Sequence, residues 1–302
     1  MIDRLEYLLA LAQERHFGRA AAACGTTQPT FSAGIKQLEE TLGVLLVERG
    51  SRFRGFTAAG ERTLDWARRI VGDSRALRQE MSALRSALSG QLRLAAIPTA
   101  MPMLTMLTAP FALAHPQVRL LILSRTSAEV LSLLENLEAD AGVTYLDNEP
   151  LGRVVAVPLY RERFRLICRA DAALAGRAAV RWADLGGVRL ALLTPDMQNR
   201  RIIDRALQAA GATPEVSIES DSMVALLSHL RTGGWASILP AQWTETLALA
   251  PGIASVPLVA PEVSNTVGLV VPHREPLPML SAALVAAARR SEIPIGRSPD
   301  GD

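Results

Sequence analysis

The residues that could carry covalent or metal chemistry are few and widely spaced. The chain of 302 residues contains two cysteines, Cys24 and Cys168, which form no CxxC pair, and four dispersed histidines. This spacing offers neither a disulfide framework nor a zinc finger. Lys36 is the only lysine and it follows Ile35, so the Gly-Lys pair of a phosphate-binding P-loop is missing. Since there is also no GxGxxG after a strand and no GxSxG elbow, the sequence indicates a binding protein rather than an enzyme, with no metal or cofactor.

Composition narrows the class of protein. The hydrophobic share of 49% excludes a disordered chain, and the length suggests two or three domains. No apolar run approaches the roughly 18 residues that a membrane span needs, and the first residues carry acids inside their apolar pattern, unlike a signal peptide. We therefore expect a cytoplasmic protein with no membrane partner. The formal net charge of +2 excludes an indiscriminate polycation, but it does not exclude a protein that binds specific DNA.

Basic charge is concentrated in one short turn. Arg49, Arg52 and Arg54 lie within six residues of a glycine-flanked turn, between a predicted strand over 44–47 and the returning Phe56. Guanidinium groups on such a hairpin suit a DNA phosphate backbone or minor groove. Taken alone, the hairpin could equally be a solvated loop.

The helices before this turn favour the DNA-binding interpretation. Helices are predicted from about Asp3, over 19–24, and from a Thr26 or Thr27 cap to Gly43. The third helix has one apolar stripe, formed by Phe31, Ile35, Leu38 and Leu42. Its start and its opposite face supply the candidate DNA-binding residues Thr27, Gln28, Pro29, Thr30, Ser32, Ala33, Lys36 and Gln37. Two helices joined by a tight turn, followed by a basic hairpin, are typical of a winged helix-turn-helix.

A single long helix is predicted over 58–88. Two sets of residues recur there at intervals of seven, which is the seam of a coiled coil. The candidate dimerisation residues are Ile70, Leu77, Met81, Leu84 and Leu88. A partner helix would set two recognition helices on successive major grooves of DNA. The alternative is an amphipathic helix packed on its own domain.

From residue 90 onward, apolar strands alternate with helices, as in βαβ units. The alternation restarts near Tyr160, and a strand over 267–271 with a final helix over 277–290 most simply returns to the first sheet. Loops after the strands carry candidate ligand-binding residues, namely Pro98, Thr99, Ala100, Ser127, Tyr145, Thr194, Pro195, Gln198, Asn199 and Ser222. Thr99, Ser127, Gln198 and Ser222 fall at or near helix starts, where free N–H groups favour a small anion such as a carboxylate. Ordinary N-capping explains each of them singly, and Tyr145 is as readily a surface tyrosine.

The motifs together resemble the LysR-type transcriptional regulators. The similarity lies in Ala21 to Ser32 and in spaced positions up to the Thr-Ala-Ala-Gly run over 57–60. Cys24 and Val47 stand where that family usually has leucine and phenylalanine, and Ala33 and Gly34 stand where a long polar residue is frequent. The resemblance implies an α+β multidomain fold with an N-terminal winged helix-turn-helix (1–58), a coiled-coil linker helix (59–89) and a C-terminal α/β, two-lobed, periplasmic-binding-protein-like regulatory domain (90–302).

The same resemblance implies how the chain works. Lobe I would comprise 90–160 and 267–302, and lobe II 161–266, with an effector bound between them at Thr99, Ser127, Gln198 and Asn199. The partners would be double-stranded promoter DNA, further copies of the chain in a dimer of dimers, and RNA polymerase. The segments 145–150 and 194–201 look similar to regulators of formate dehydrogenase operons, which implies formate as the effector. Two alternatives stay open: an α/β enzyme, or a solute-binding protein, with an accessory winged helix.

Overall fold

The computed structural model describes residues 1–48, 53–83, 87–246 and 250–291, and it divides into two compact units, Met1–Leu88 and Ser89–Asp302. The helices of the first unit are α1 (Ile2–Glu14), α2 (Phe17–Ala23), α3 (Gln28–Leu42) and α4 (Ala58–Ala83). These elements confirm the predicted helix-turn-helix. The predicted strand over 44–47 is reduced to one antiparallel bridge between Val47 and Phe56. The predicted wing residues Arg49 and Arg52 lie outside the described residues.

The second and third helices begin directly after a side chain that accepts hydrogen bonds from their first N–H groups. Thr27 caps α3 as predicted, because its side chain accepts from the Thr30 backbone N–H, and Gly43 ends the helix in the left-handed region. Asp3 does not cap α1, which already begins at Ile2. The second helix starts two residues before its predicted position because the His16 ring accepts the first free N–H groups.

The apolar stripe of α3 forms the centre of the first unit. Phe31, Ile35 and Leu38 are buried in a cluster with α1, α2 and α4, whereas Leu42, predicted to continue the stripe, is 42% exposed. The cluster reaches only to Leu38 on this helix, which leaves the last turn open. A Cβ on Gly34 would lie 2.8 Å from Cδ2 of the Tyr7 ring, so glycine here permits the close contact between α1 and α3.

The long helix α4 behaves differently along its length. Leu64, Ala67 and Val71 are buried in the core of their own unit, and Ile70 packs against the same cluster. The intradomain alternative therefore holds for the first half of the helix. Further along, the predicted seam residues Leu77 and Met81 are 58% and 45% exposed. The described part of the helix runs to Ala83; Leu84 lies outside the described residues, and Leu88, which was predicted to be helical, is not.

The second unit is built from α/β segments. Its strands are β1 (Gly90–Ala96), β2 (Val118–Ser124), β3 (Ala141–Tyr145), β4 (Val154–Arg169), β5 (Val180–Arg181), β6 (Arg189–Leu193), β7 (Glu215–Ser220), β8 (Ser237–Pro240), β9 (Ile253–Val259) and β10 (Ser264–Pro272). Its helices are α5 (Met101–Ala114), α6 (Ser127–Glu135), α7 (Gln198–Ala209), α8 (Met223–Thr232), α9 (Ala241–Thr246) and α10 (Met279–Arg290). None of the helices in the described ranges is long and apolar enough to cross a membrane.

Two long strands connect the lobes of this unit. β1 lies parallel to β2 and β3, and β10 returns antiparallel between β3 and β4, as the sequence predicts. β4 continues into the second lobe, where it pairs with β8 and β9. Both β4 and β10 run straight through the predicted lobe boundaries near residues 160 and 266. β9, which carries Pro257 in its centre, was not predicted.

Candidate effector site and DNA-binding face

The carboxyl ends of β1, β3 and β6 meet around a cavity of about 10 Å³, which is room for one water-sized molecule. Its lining consists of Ile97, Pro98, Thr99, Ser127, Tyr145, Leu193, Met197, Gln198 and Asn199. Ligands of open α/β folds bind beyond the carboxyl ends of parallel strands, so this is the expected place for a small effector. The structure brings together six of the residues that the sequence singles out.

Each polar side chain is held there by its element. Thr99 lies on the 3₁₀ turn that follows β1, Ser127 is the first residue of α6, and Gln198 and Asn199 are the first two residues of α7. Tyr145 is the last residue of β3 and is only 1% exposed, so the surface alternative for this tyrosine is wrong. All five side chains are buried.

The helix starts at the cavity differ in how they are capped. The cap of α6 is Thr126, which forms a capping box with Glu129. Ser127 is therefore not the cap, and its buried Oγ has no hydrogen-bond partner among the described residues. At α7, Met197 occupies the N-cap position and no side chain caps the helix. The first N–H groups of α7 are consequently free of a side-chain acceptor beside the cavity.

Behind the cavity wall, Glu162 of β4 receives two hydrogen bonds on one oxygen. Tyr145 Oη donates to Glu162 Oε1, and Asn199 Nδ2 donates to the same oxygen at 3.3 Å and to Tyr145 Oη at 3.0 Å. Thr99 Oγ1 lies 3.4 Å from Tyr145 Oη. Glu162 is fully buried, and no ion pair to it is found within the described ranges. The wall of the cavity thus contains a carboxyl group without a cation.

Burial controls the protonation of this network. Burial raises the pKa of Glu162 to about 8, although the hydrogen bonds from Tyr145 and Asn199 lower it. The pKa of the Tyr145 phenol is raised well above its usual value, first by burial and then by the nearby Glu162. The phenol is therefore neutral, and the carboxyl is mostly protonated at neutral pH.

Glu162 is the functional candidate that sequence reasoning missed. The interpretation from the sequence placed a crossover at 158–161 and began the next strand at Phe164. β4 is in fact continuous, and its alternation puts Glu162 on the buried face with Tyr160 and Phe164 while Arg161 and Arg163 face outward. Extending the period of two upstream from Phe164 would have found it.

The other predicted ligand residues lie elsewhere. Ser222 caps α8 and lines a separate cleft of about 620 Å³, together with the acids Glu129, Asp196 and Asp221 and with Arg125. The four predicted helix starts therefore do not all converge. Of the described residues, Ala100, Thr194 and Pro195 line neither the cavity nor the cleft.

Several contacts join the two lobes around the cavity. The Arg201 guanidinium of α7 contacts both Glu149 oxygens, at 2.7 and 3.0 Å, in the loop after β3. Gln198 Nε2 donates to the Asp147 carbonyl oxygen at 3.2 Å, and Trp243 Nε1 donates to the Thr99 carbonyl oxygen at 2.8 Å. α7 thus contributes both to the cavity wall and to the link between lobes.

The cysteines lie away from the cavity. Cys168 is buried on β4, and burial raises the pKa of its thiol. Cys24 packs against the core of the first unit, where burial and Glu6 raise the pKa of its thiol. Within the described ranges, no three His, Cys, Asp or Glu side chains are grouped to hold a metal ion.

The predicted DNA-binding face lies on α3. The exposed members are Thr27, Gln28, Pro29, Thr30, Ala33, Lys36 and Gln37, and Ser32 is half-buried. Lys36 Nζ lies 3.8 Å from Glu40 in an exposed pair, so it stays available to solvent and to a phosphate. Beyond the turn, Arg54 is exposed, and Phe53 and Phe56 pack against the core.

Each of the two units matches a known protein family. A family model described as a bacterial regulatory helix-turn-helix protein of the lysR family matches residues 2–61, and the LysR substrate binding domain matches residues 85–292. The chain belongs to the LysR family of transcriptional regulators. This LysR regulator is therefore a DNA-binding transcription factor with an effector-binding domain, and its relatives are regulators rather than enzymes.

Its relatives include peroxide regulators. The DNA-binding transcriptional dual regulator OxyR of Escherichia coli K12 is 32% identical over 292 residues, covering 95% of this chain and 94% of OxyR. The hydrogen peroxide-inducible genes activator of Dickeya chrysanthemi is 31% identical over 280 residues, covering 91% of this chain and 90% of that activator. Full-length OxyR from Pseudomonas aeruginosa, solved as a cysteine variant, matches with a TM-score of 0.76 at 27% identity, covering 100% of this chain and 99% of that structure. The fold is also that of CbnR in complex with its target DNA, with a TM-score of 0.67 at 24% identity, covering 96% and 99% of the two chains.

Proposed function

We propose that this LysR regulator responds to a small carboxylate, with formate as the best fit, bound in the cavity between Thr99, Ser127 and Asn199. The observation that carries the proposal is the hydroxyl of Ser127, which is buried at the cavity and has no partner among the described residues. A buried hydroxyl without a partner costs free energy, which a hydrogen-bonding ligand would recover.

The chemistry of the wall suits a compact anion. One formate oxygen can accept from Ser127 Oγ, and the other can accept from the free N–H groups at the start of α7, where the helix dipole is positive. The volume of about 10 Å³ favours the smallest carboxylates, because even formate, which is larger than one water molecule, requires the cavity to widen and larger carboxylates require it to widen more. The neighbouring cleft is a poor anion site, because three acids line it against a single arginine.

Peroxide sensing by a thiol has less support in this chain, although several relatives are named as activators of hydrogen peroxide-inducible genes. Such chemistry needs an accessible thiolate of lowered pKa. Cys168 is buried, its pKa is raised, and neither it nor Cys24 lines the cavity. Reversible binding of a ligand is what the cavity supports.

The proposed mechanism depends on α7, because this helix both lines the cavity and contacts the other lobe. A ligand that prefers one spacing between β3 and α7 would shift the populations of lobe arrangements. In a dimer of dimers paired through α4, this shift would change the bend imposed on promoter DNA and the access of RNA polymerase. The residues Gln28, Pro29 and Thr30 would read base edges, while Ser32, Lys36 and the arginines 49, 52 and 54 would position the phosphate backbone.

Calorimetry tests the effector. The full chain is titrated at pH 7 with sodium formate, with sodium chloride at equal ionic strength as the blank and with sodium benzoate as an oversized carboxylate. We expect saturable heat with formate only, and its loss in Thr99→Val but not in Thr232→Val, an exposed threonine of α8. Absence of saturable heat with formate would refute the effector assignment.

A gel shift tests binding to promoter DNA. We expect the chain to retard DNA from upstream of its own gene at low salt, and formate to change the pattern or affinity. Failure to retard any neighbouring promoter fragment would refute the expectation that the chain binds DNA near its own gene.

A further inference from the structure

Glu162 is a buried carboxyl that forms no ion pair within the described residues, so an ion pair does not explain its position. Its Oε1 takes the hydrogen bonds from Tyr145 and Asn199, and its Oε2 is buried with no partner among the described residues. Both donors also line the cavity, so Glu162 is one side chain removed from any bound ligand.

The side chains that donate to Glu162, and those beside it on β4 and opposite it on β10, are neutral. β3 supplies the Tyr145 phenol, α7 supplies the Asn199 amide, and β4 itself supplies Tyr160, whose buried hydroxyl has no partner among the described residues. β10 places Asn265 opposite Glu162, and the Asn265 amide accepts from Asn148. No described arginine, lysine or histidine forms an ion pair with this carboxyl.

We propose that Glu162 makes the cavity take up its carboxylate together with one proton, so that the regulator responds to the effector only while Glu162 is neutral. This inference rests on the proposed function, because it concerns the same cavity and a carboxylate ligand. It adds a specificity-determining residue and a pH dependence to that function.

The physical argument is the repulsion between two carboxylates. An ionised Glu162 and an anion in the cavity would lie on opposite sides of Tyr145 and Asn199, close together in a region of low dielectric. Two carboxylates in one buried site cannot both stay ionised cheaply, so one binds a proton from solvent. Formate stays ionised at neutral pH, and the proton therefore resides on Glu162, whose Oε2 accepts no hydrogen bond from the described residues.

The direction of the pH dependence follows from the pKa. Burial raises the pKa of Glu162 to about 8, so the neutral form dominates at pH 7 and is lost as the pH rises. If the ligand binds only the neutral form, the apparent Kd rises about 10-fold between pH 7 and pH 9. Near pH 8, about half a proton is taken up for each ligand bound.

The test is calorimetry of the full chain with sodium formate at pH 7, 8 and 9, in buffers of different ionisation enthalpy. We expect the wild type to lose affinity about 10-fold across this range and to take up protons at pH 8. Glu162→Gln keeps the shape of the side chain and the hydrogen bond from Tyr145. This variant should bind formate with a Kd that is the same at pH 7, 8 and 9. The control Glu135→Gln, an exposed residue at the end of α6, should follow the wild type.

The outcomes separate the two proposals. Saturable heat with a Kd that is equal at pH 7 and 9 and with no proton uptake overturns the role of Glu162 and leaves the formate site standing. A pH slope that persists in Glu162→Gln also overturns it. No saturable heat at pH 7 overturns the formate site and this inference with it. The proton count on the wild type decides the matter even if Glu162→Gln does not fold.

Discussion

Two adjacent hydroxyls, on Thr126 and Ser127, separate a structural role from a ligand-binding one. Thr126 Oγ1 accepts the Glu129 N–H at 3.2 Å and completes a capping box, so Thr126→Ala should cost about 1 kcal/mol of unfolding free energy. Ser127 Oγ is buried with no partner among the described residues, so Ser127→Ala removes an unsatisfied group. We expect its stability to be unchanged or raised by up to about 1 kcal/mol.

For ligand affinity we expect Ser127→Ala to have the larger effect, whereas for stability Thr126→Ala has the larger effect. A hydrogen bond to a charged ligand is worth about 1.5–3 kcal/mol, so Ser127→Ala should raise the Kd for formate roughly 10- to 100-fold. Thr126→Ala should leave the Kd within about twofold, because the hydroxyl faces the helix end rather than the ligand. Urea midpoints and calorimetric titrations of the two full-length variants give both quantities.

The reasoning would fail if Ser127→Ala lost stability as Thr126→Ala does while its Kd stayed at the wild-type value. That pattern would mean that the Ser127 hydroxyl has a structural partner and no ligand contact. A loss of both stability and affinity in Thr126→Ala alone would instead indicate that the intact start of α6 is what the ligand senses.

Three further predictions concern DNA, assembly and the link between lobes. Gln28→Ala should weaken binding to the specific site by about 1–3 kcal/mol and relax base preference there, whereas Arg52→Ala should weaken all sequences alike and flatten the salt dependence by about one unit in gel shifts. Leu77→Asp should leave stability within about 0.5 kcal/mol, since Leu77 is 58% exposed, but should shift sedimentation toward smaller species. A double-mutant cycle of Glu149→Gln and Arg201→Gln should give a coupling of about 0.2–1 kcal/mol in urea, because the pair is partly exposed.

Each of these has an outcome that contradicts it. A sequence-selective loss in Arg52→Ala would place this arginine at base edges instead of the backbone. Unchanged sedimentation in Leu77→Asp would contradict the predicted coiled-coil seam. The matched control is Val71→Ala, which changes a buried residue of the same helix and should lose about 1–3 kcal/mol of stability. A coupling of zero between Glu149 and Arg201 would mean that this pair does not hold the lobes.

Much of the fold could be predicted from periodicity and end signals. The strands over 189–193 and 215–220 have the predicted bounds, and the helix from Gln198 ends within one residue of its prediction. Thr27 and Gly43 supplied a start and a stop for α3 because each satisfies backbone groups at a helix end. These elements are determined locally, by residues that lie next to one another in the sequence.

The rest depended on contacts between distant segments. The seven-residue spacing in α4 did not reveal that Val71 and Ile70 pack on their own unit, because the same stripe can face α1 or a partner helix. β9 carries a proline and no clear alternation, and it is fixed by its pairing with β4. The cavity was placed by fold topology, but its carboxyl Glu162 was missed because the predicted crossover at 158–161 interrupted a strand that in fact crosses both lobes without a break.

The position of Glu162 gives the cavity a reason to be sensitive to lobe arrangement. Its carboxyl accepts from Tyr145 at the end of β3 and from Asn199 at the start of α7, and Arg201 of the same helix contacts Glu149 beyond β3. A displacement of α7 away from β3 would therefore weaken the link between lobes and also remove a donor from a buried carboxyl. Since burial raises the pKa of Glu162 and the hydrogen bonds from Tyr145 and Asn199 lower it, a change in lobe spacing also changes how tightly the carboxyl holds its proton. Protonation, ligand binding and lobe spacing are thus linked through one helix, so a change in any one of them shifts the other two.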